Sequence, residues 1–310
     1  MIDELSQSDL LHLREAAGIA GLDLPEIVLP QDHTVSLNGL PFHYLDWAGP
    51  GERTVLFLHG GHLTAHTWDL VCLALHQRFH CVALDARGHG DSAWAPDGDY
   101  SREAHTGDVV AVVDALGLDQ FVLIGHSMGG GTAIGYASEH PDKLHALVLV
   151  DTGPRVDTGS PPPGMQRMQD FVGGPAELDT IEDFVERAVG FNPARHRGLL
   201  RRSLLHNLRQ LPNGRWTWKY DREGLARRDP TAMAARQLAL REAVSGITCP
   251  TLVLRGGRSD MFTDADAEYV AHLLPNGRWS RVENAGHTVQ GDNPRGLLDA
   301  LIPFLDDVAA

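Results

Sequence analysis

The sequence is poor in cysteine and in basic charge, and it lacks any long apolar run. Cys72, Cys81 and Cys249 are its only cysteines, an odd number that cannot pair fully within one chain. Each sits inside an apolar stretch, so buried thiols in a reducing compartment are expected rather than a disulfide scaffold. Lysine and arginine number 26 against 41 acidic residues, a formal charge of -15, which repels nucleic-acid phosphates and anionic membrane surfaces. Neither nucleic acid nor membrane is therefore an expected partner. The first ten residues open with acids where a secretory signal needs a basic stretch followed by an apolar one. No window approaches the ~18 apolar residues that span a bilayer. A soluble, cytoplasmic protein is the expectation.

What is present is ordinary globular material, with 43% hydrophobic and 22% charged residues over 310 positions. That length exceeds what one core usually serves, so the chain should be one large α/β domain with an insertion, or two domains. Residues 4–19 have helical spacing before Pro25 and Pro30 break it. The runs 34–37 and 42–47 flank Asn38-Gly39, a hairpin signal because Asn-Gly supplies positive φ angles. Short continuous apolar runs follow at 54–59, 81–85, 121–126, 146–151 and 251–255, without the alternation of a half-exposed strand. Such runs suit strands covered on both faces. Helical patterns lie between them at 66–77, 101–116, 128–140, 263–274 and 294–309, and this alternation predicts right-handed crossovers and a mostly parallel sheet.

The alternation is interrupted once. Residues 153–246 contain a proline run at 161–163 and helix-like stretches at 181–189 and 197–210, but no buried-strand run, and read as a mainly helical insertion. The core is expected over 1–152 and 247–310, with 1–30 as an N-terminal extension. Trp216 and Trp218 alternate as a short strand would, with packing as their default role.

Ser127 lies between Gly125 and Gly129, after an apolar strand and before a helical pattern. A serine at so sharp a turn has a strained backbone, and glycines two residues to either side let strand and helix approach. The helix N-terminus would favour negative charge developing beside it. This context points to a nucleophile, whereas a G-x-S-x-G alone would be weak.

The segments L-F-L-H-G-G (56–61), L-D-A-R-G-H-G-D-S (84–92), G-H-S-M-G-G (125–130), L-V-L-R-G-G-R-S-D (252–260) and N-A-G-H (284–287) together resemble the ordered landmarks of the α/β-hydrolase family. The resemblance runs from about residue 33 to 310 except for the insertion, which would then be a cap. It implies an α/β-hydrolase fold: a mostly parallel central sheet flanked by helices. The implied catalytic set is Ser127, His287 as its base and Asp260 as the acid. His287 follows the last expected strand, 279–283, with Asn284 to Gly286 as a loop able to aim it at Ser127. Asp260 gives the family's chain order of serine, acid, histidine and lies three residues after Gly257. Counting from Gly256 instead gives Ser259, which cannot serve as an acid. The rival is Asp151, at the end of the strand before the insertion, where some family members carry the acid.

An oxyanion hole is implied from the backbone N–H groups of Met128 and Gly61. His62 and His126 are candidates for the substrate cleft. His62 and His66 stand four apart, but without a third ligand in view they are expected to border the cleft rather than bind metal. His89 and the turn at 87–92 lack the lysine and spacing of a phosphate loop and read as local structure.

The activity so implied is cleavage of a small, fairly apolar carboxylic ester or lactone through an acyl-enzyme, with no metal or organic cofactor required. Carbon-carbon bond hydrolysis of the meta-cleavage type and cofactor-free perhydrolysis use the same serine triad. A small-molecule receptor built on this fold is the reading from outside catalysis.

Overall fold

The computed structural model describes every residue except 1–3, 52, 158–159, 227–232 and 310. Helix α1 (Glu4–Ile19) precedes a hairpin of β1 (Gln31–Leu37) and β2 (Leu40–Trp47). Asn38 and Gly39 take positive φ of 52° and 75° at its turn, the conformation that Asn-Gly tolerates. Six further strands complete the central sheet: β3 (Thr54–Leu58), β4 (His80–Leu84), β5 (Phe121–His126), β6 (Leu144–Val150), β10 (Thr251–Gly256) and β11 (Gly277–Val282). Its order is β1-β2-β4-β3-β5-β6-β10-β11. The β1–β2 and β2–β4 pairs are antiparallel, and the pairs from β4 to β11 are parallel.

The unbroken apolar runs have a direct cause. Val55 and Phe57 of β3, Val122 and Ile124 of β5, and Val148 and Val150 of β6 enter a core on one face. The intervening Leu56, Leu58, Leu123, Leu147 and Leu149 enter a second core on the other. Both faces are covered, so neither set of alternating positions can be polar. Helices α2 (Asp69–Leu75) and α12 (Pro294–Ala309), the latter preceded by the single turn α11 (Val289–Asp292), cover the first face. The second is covered by α3 (Arg102–Ala115), α4 (Met128–Glu139) and α10 (Asp264–Leu273). Cys72, Cys81 and Cys249 are buried free thiols.

Between β6 and β10 the chain forms α5 (Met165–Val172), α6 (Ile181–Phe191), α7 (Arg197–Asn207), α8 (Arg222–Ala226) and α9 (Met233–Ser245). It also contains a small antiparallel sheet of β7 (Glu177–Leu178), β8 (Leu208–Gln210) and β9 (Trp216–Trp218). The segment has a core of its own, in which Phe184, Val185, Leu200, Leu204, Trp218 and Tyr220 pack with Tyr100 of the main domain. Asp183 closes a capping box with Thr180 at the start of α6, satisfying helix-end N–H groups that would otherwise lack partners. The Tyr100 hydroxyl donates to Asp221 at 2.6 Å, tying this segment to the domain below.

Candidate active site

Every side chain of the site stands at the C-terminal edge of the parallel sheet, where the strand ends splay into loops. Ser127 joins β5 to α4 with φ of 50° and ψ of -111°, a region that costs a non-glycine residue about 1–3 kcal/mol. The turn is possible because glycines flank it. A Cβ on Gly125 would lie 2.5 Å from the Gly129 carbonyl oxygen, and one on Gly129 would lie 2.6 Å from the carbonyl oxygens of Leu58 and His59.

His287 Nε2 lies 2.9 Å from Ser127 Oγ, and its Nδ1 lies 2.7 Å from Asp151 Oδ2. With Nδ1–H donating to the carboxylate, Nε2 is left to accept the serine proton, the arrangement that activates an alcohol. The Asp151 carboxylate is buried and heavily used. Its Oδ1 accepts from the Gly256 N–H at 2.8 Å, and its Oδ2 also accepts from the Ser259 hydroxyl at 2.5 Å.

The expectation that Asp260 partners His287 is therefore corrected. Asp260 ion-pairs with Arg167 at 2.6 Å, and its side chain is 36% exposed. It lies beyond the last paired residue of β10, whereas Asp151 follows Val150, which pairs with His126 on one side and Leu254 on the other. The position counted from Gly256, Ser259, lies against the acid and donates to it.

The Gly60-Gly61 loop is shaped by His59. Its Nδ1–H donates to the Gly60 carbonyl at 2.8 Å while its Nε2 accepts from the Ala86 N–H at 3.0 Å. Burial holds this imidazole below its usual pKa, against the pull of Asp85. Gly61 and Met128 face one cavity together with His62, Ser127 and His287. His126 also borders it but is almost wholly buried, and its Nε2–H donates to the His287 carbonyl at 2.8 Å. Burial and the neighbouring His287 push the His126 pKa well below the usual value, so it stays neutral. The sequence offered His126 as a cleft residue; it borders the cavity, and its hydrogen bond goes to the histidine loop.

His62 and His66, four apart in sequence, have different surroundings. His62 reaches the cavity, whereas His66 Nδ1 bonds Asp69 at 3.0 Å and its ring stacks on His206 at 3.7 Å. Among the described residues, His66, Asp69 and His206 are close enough to hold a cation, as are His43, Asp85 and Asp91. Both groups are engaged by protein cations: Arg202 lies 2.7 Å from Asp69 and Lys219 lies 2.6 Å from Asp91. Stacked imidazoles also direct their lone pairs in nearly parallel planes rather than toward a common point. His89 is buried, its Nδ1–H bonded to the Arg87 carbonyl at 2.9 Å. Arg87 grips Asp108 through two nitrogens, which makes the 87–92 turn a structural element.

The model of the alpha/beta hydrolase fold family matches residues 53–294. The chain belongs to this family. It is 33% identical over 319 residues to esterase Rv0045c of Mycobacterium tuberculosis, with 98% of each chain covered. A crystal structure of that esterase superposes with a TM-score of 0.74 at 32% identity, covering 96% of this chain and 98% of the other. The mouse sn-1-specific diacylglycerol lipase ABHD11 is 33% identical over 287 residues, covering 87% of this chain and 86% of the lipase. A hydrolase of the esterase type is the common ground of these relatives.

The cavity over Ser127 measures about 920 Å³, at the upper end of small-molecule sites. Its floor comes from the sheet edge. Its walls come from residues 153–246, among them Met165, Met168, Phe171, Phe191, Leu204 and Trp218. These wall residues escaped the sequence reading because an apolar side chain on a helix lining a cavity carries the same local signal as one in a core.

Proposed function

We propose that this protein is a serine esterase for carboxylic esters or lactones with a substantial apolar part, and that residues 153–246 act as its cap. The observation that supports this most is the hydrogen-bond chain from Ser127 through His287 to Asp151 at the floor of a largely apolar cavity. The Ser127 hydroxyl passes its proton to His287 Nε2 as Oγ bonds to the ester carbonyl carbon. Asp151 accepts from Nδ1–H throughout and offsets the charge of the imidazolium. The carbonyl oxygen, now anionic, is received by the N–H groups of Met128 and Gly61. Collapse breaks the bond to the alcohol, which leaves with the proton from His287. Water then gives a proton to His287 as its oxygen bonds to the acyl carbon. When the bond to Oγ breaks, that proton passes from His287 to Oγ, releasing the acid and restoring Ser127 and neutral His287.

A fluorophosphonate should modify one residue, Ser127, as read by peptide mapping. Ser127→Ala should abolish both the label and the turnover of para-nitrophenyl butyrate. Tight ligand binding with negligible turnover in the unaltered protein would support the receptor reading instead.

A further inference from the structure

Arg195 lies between α6 and α7, with its side chain 10% exposed, and faces the same cavity as Ser127. A guanidinium offers five N–H donors in a fixed fork. Among the described residues, the Arg195 side chain makes a single long hydrogen bond, from Nη2 to the Leu199 carbonyl at 3.5 Å. Its Nε is buried with no hydrogen-bond partner among the described residues and lies 3.9 Å from Asp292 Oδ1. That carboxylate is committed elsewhere: Oδ1 accepts from Asn192 at 2.9 Å and Oδ2 from the Gly286 N–H at 2.8 Å. The guanidinium lies on Gly291, where a Cβ would come within 2.7 Å of Cζ and both terminal nitrogens. A cation so confined, short of acceptors and bordering a ligand cavity, is costly unless something supplies them.

We propose that Arg195 binds an oxyanion carried by the substrate, a carboxylate in its simplest form, at a distance from the scissile ester. The preferred substrate is then amphiphilic, an apolar chain with an ester near Ser127 and an anionic end at Arg195. This assignment rests on the esterase reading. It adds that a charge-assisted fork, rather than the apolar walls alone, selects the substrate. Asp292, which holds the Gly286 N–H beside His287, keeps the guanidinium near the sheet edge without using up its donors.

The test compares esters matched in length. On the acyl side, mono-para-nitrophenyl adipate is set against para-nitrophenyl hexanoate; on the alcohol side, omega-acetoxyhexanoate is set against hexyl acetate. For at least one pair, Arg195→Met should lower the ratio of anionic to neutral kcat/KM by about 10- to 100-fold, with Arg195→Lys in between. The affected pair reveals which end carries the charge. A ratio unchanged in both pairs overturns the proposal, and so does an equal loss for anionic and neutral esters, which would make Arg195 structural. Should the Met variant fail to fold by circular dichroism, the unaltered protein decides. Hexanoate should inhibit more strongly than hexanamide, with the difference shrinking as salt rises, and equal inhibition overturns the proposal. Turnover of the neutral esters and fluorophosphonate labelling of Ser127 report on the esterase reading separately.

Discussion

Ser127 and Asp151 leave adjacent parallel strands one residue beyond a paired couple, His126 and Val150, and both adopt positive φ, 50° and 51°. The Ser127 N–H bonds the Val150 carbonyl at 3.2 Å and the Asp151 N–H bonds the Leu254 carbonyl at 2.7 Å. The two strained residues are thus fixed at one level of the sheet, and His287 closes the gap between their side chains. Holding strain at two neighbouring strand ends requires rigid surroundings, which the doubly covered sheet supplies.

The acid is tested by a pair of substitutions. Asp151→Asn should leave the fold intact by circular dichroism and lower kcat by about 10²- to 10⁴-fold, because the imidazole loses its orienting acceptor. Asp260→Asn removes only a partly exposed ion pair and should change kcat by less than about threefold. A larger loss from the second variant would return the role to Asp260.

Ser259 bears on the same question. A carboxylate there would lie against that of Asp151 in a buried setting, and two like charges cannot both be accommodated. Ser259→Asp should therefore lower the melting temperature and the activity together. Combined with Asp151→Ser, the same change should recover at least about tenfold in kcat over Asp151→Ser alone, since one carboxylate then serves His287 from the neighbouring strand. No recovery would mean that the β10 loop cannot present an acid to this histidine.

His126 is a positioning residue, acting through the His287 carbonyl. His126→Leu removes the donor and should reduce kcat about tenfold, with KM for a neutral ester changed by less than about twofold. A variant that lost stability with no change in kcat would confine His126 to packing.

His43 predicts the alkaline side of stability. Burial alone would lower its pKa, but hydrogen bonds to Asp32 and Asp85 outweigh this and raise it to about 9. Both ring nitrogens face carboxylates, at 2.8 Å to Asp85 and 3.0 Å to Asp32. The imidazolium thus stabilises the folded state fully below the unfolded value of ~6.5, and that contribution is lost as pH rises through about 9. Denaturant unfolding should show stability falling by on the order of 1–3 kcal/mol across this window. His43→Gln should flatten the slope, and an unchanged slope would exclude the pair as its source.

The chain's own order determined what depends on local signals. Continuous apolar runs mark strands buried on both faces, Asn38-Gly39 marks the hairpin, and the glycines around Ser127 mark the strained turn, since each requirement is met within a few residues. Of the three-stranded sheet at 177–218 only β9 was marked, by the alternation of Trp216 and Trp218; β7 and β8, two and three residues long, carried no such signal. The choice between Asp151 and Asp260 was beyond local reading. Both aspartates follow apolar strands, and only the lateral order β5-β6-β10 puts one of them beside a histidine 136 residues away. The same holds for Arg195, an unremarkable arginine in sequence. Packing against Gly291 and burial beside a committed Asp292 turn it into a cation short of acceptors at the cavity wall. Strand identity is written in the periodicity of neighbouring residues, whereas the partner of a charge is set by which distant backbones lie side by side.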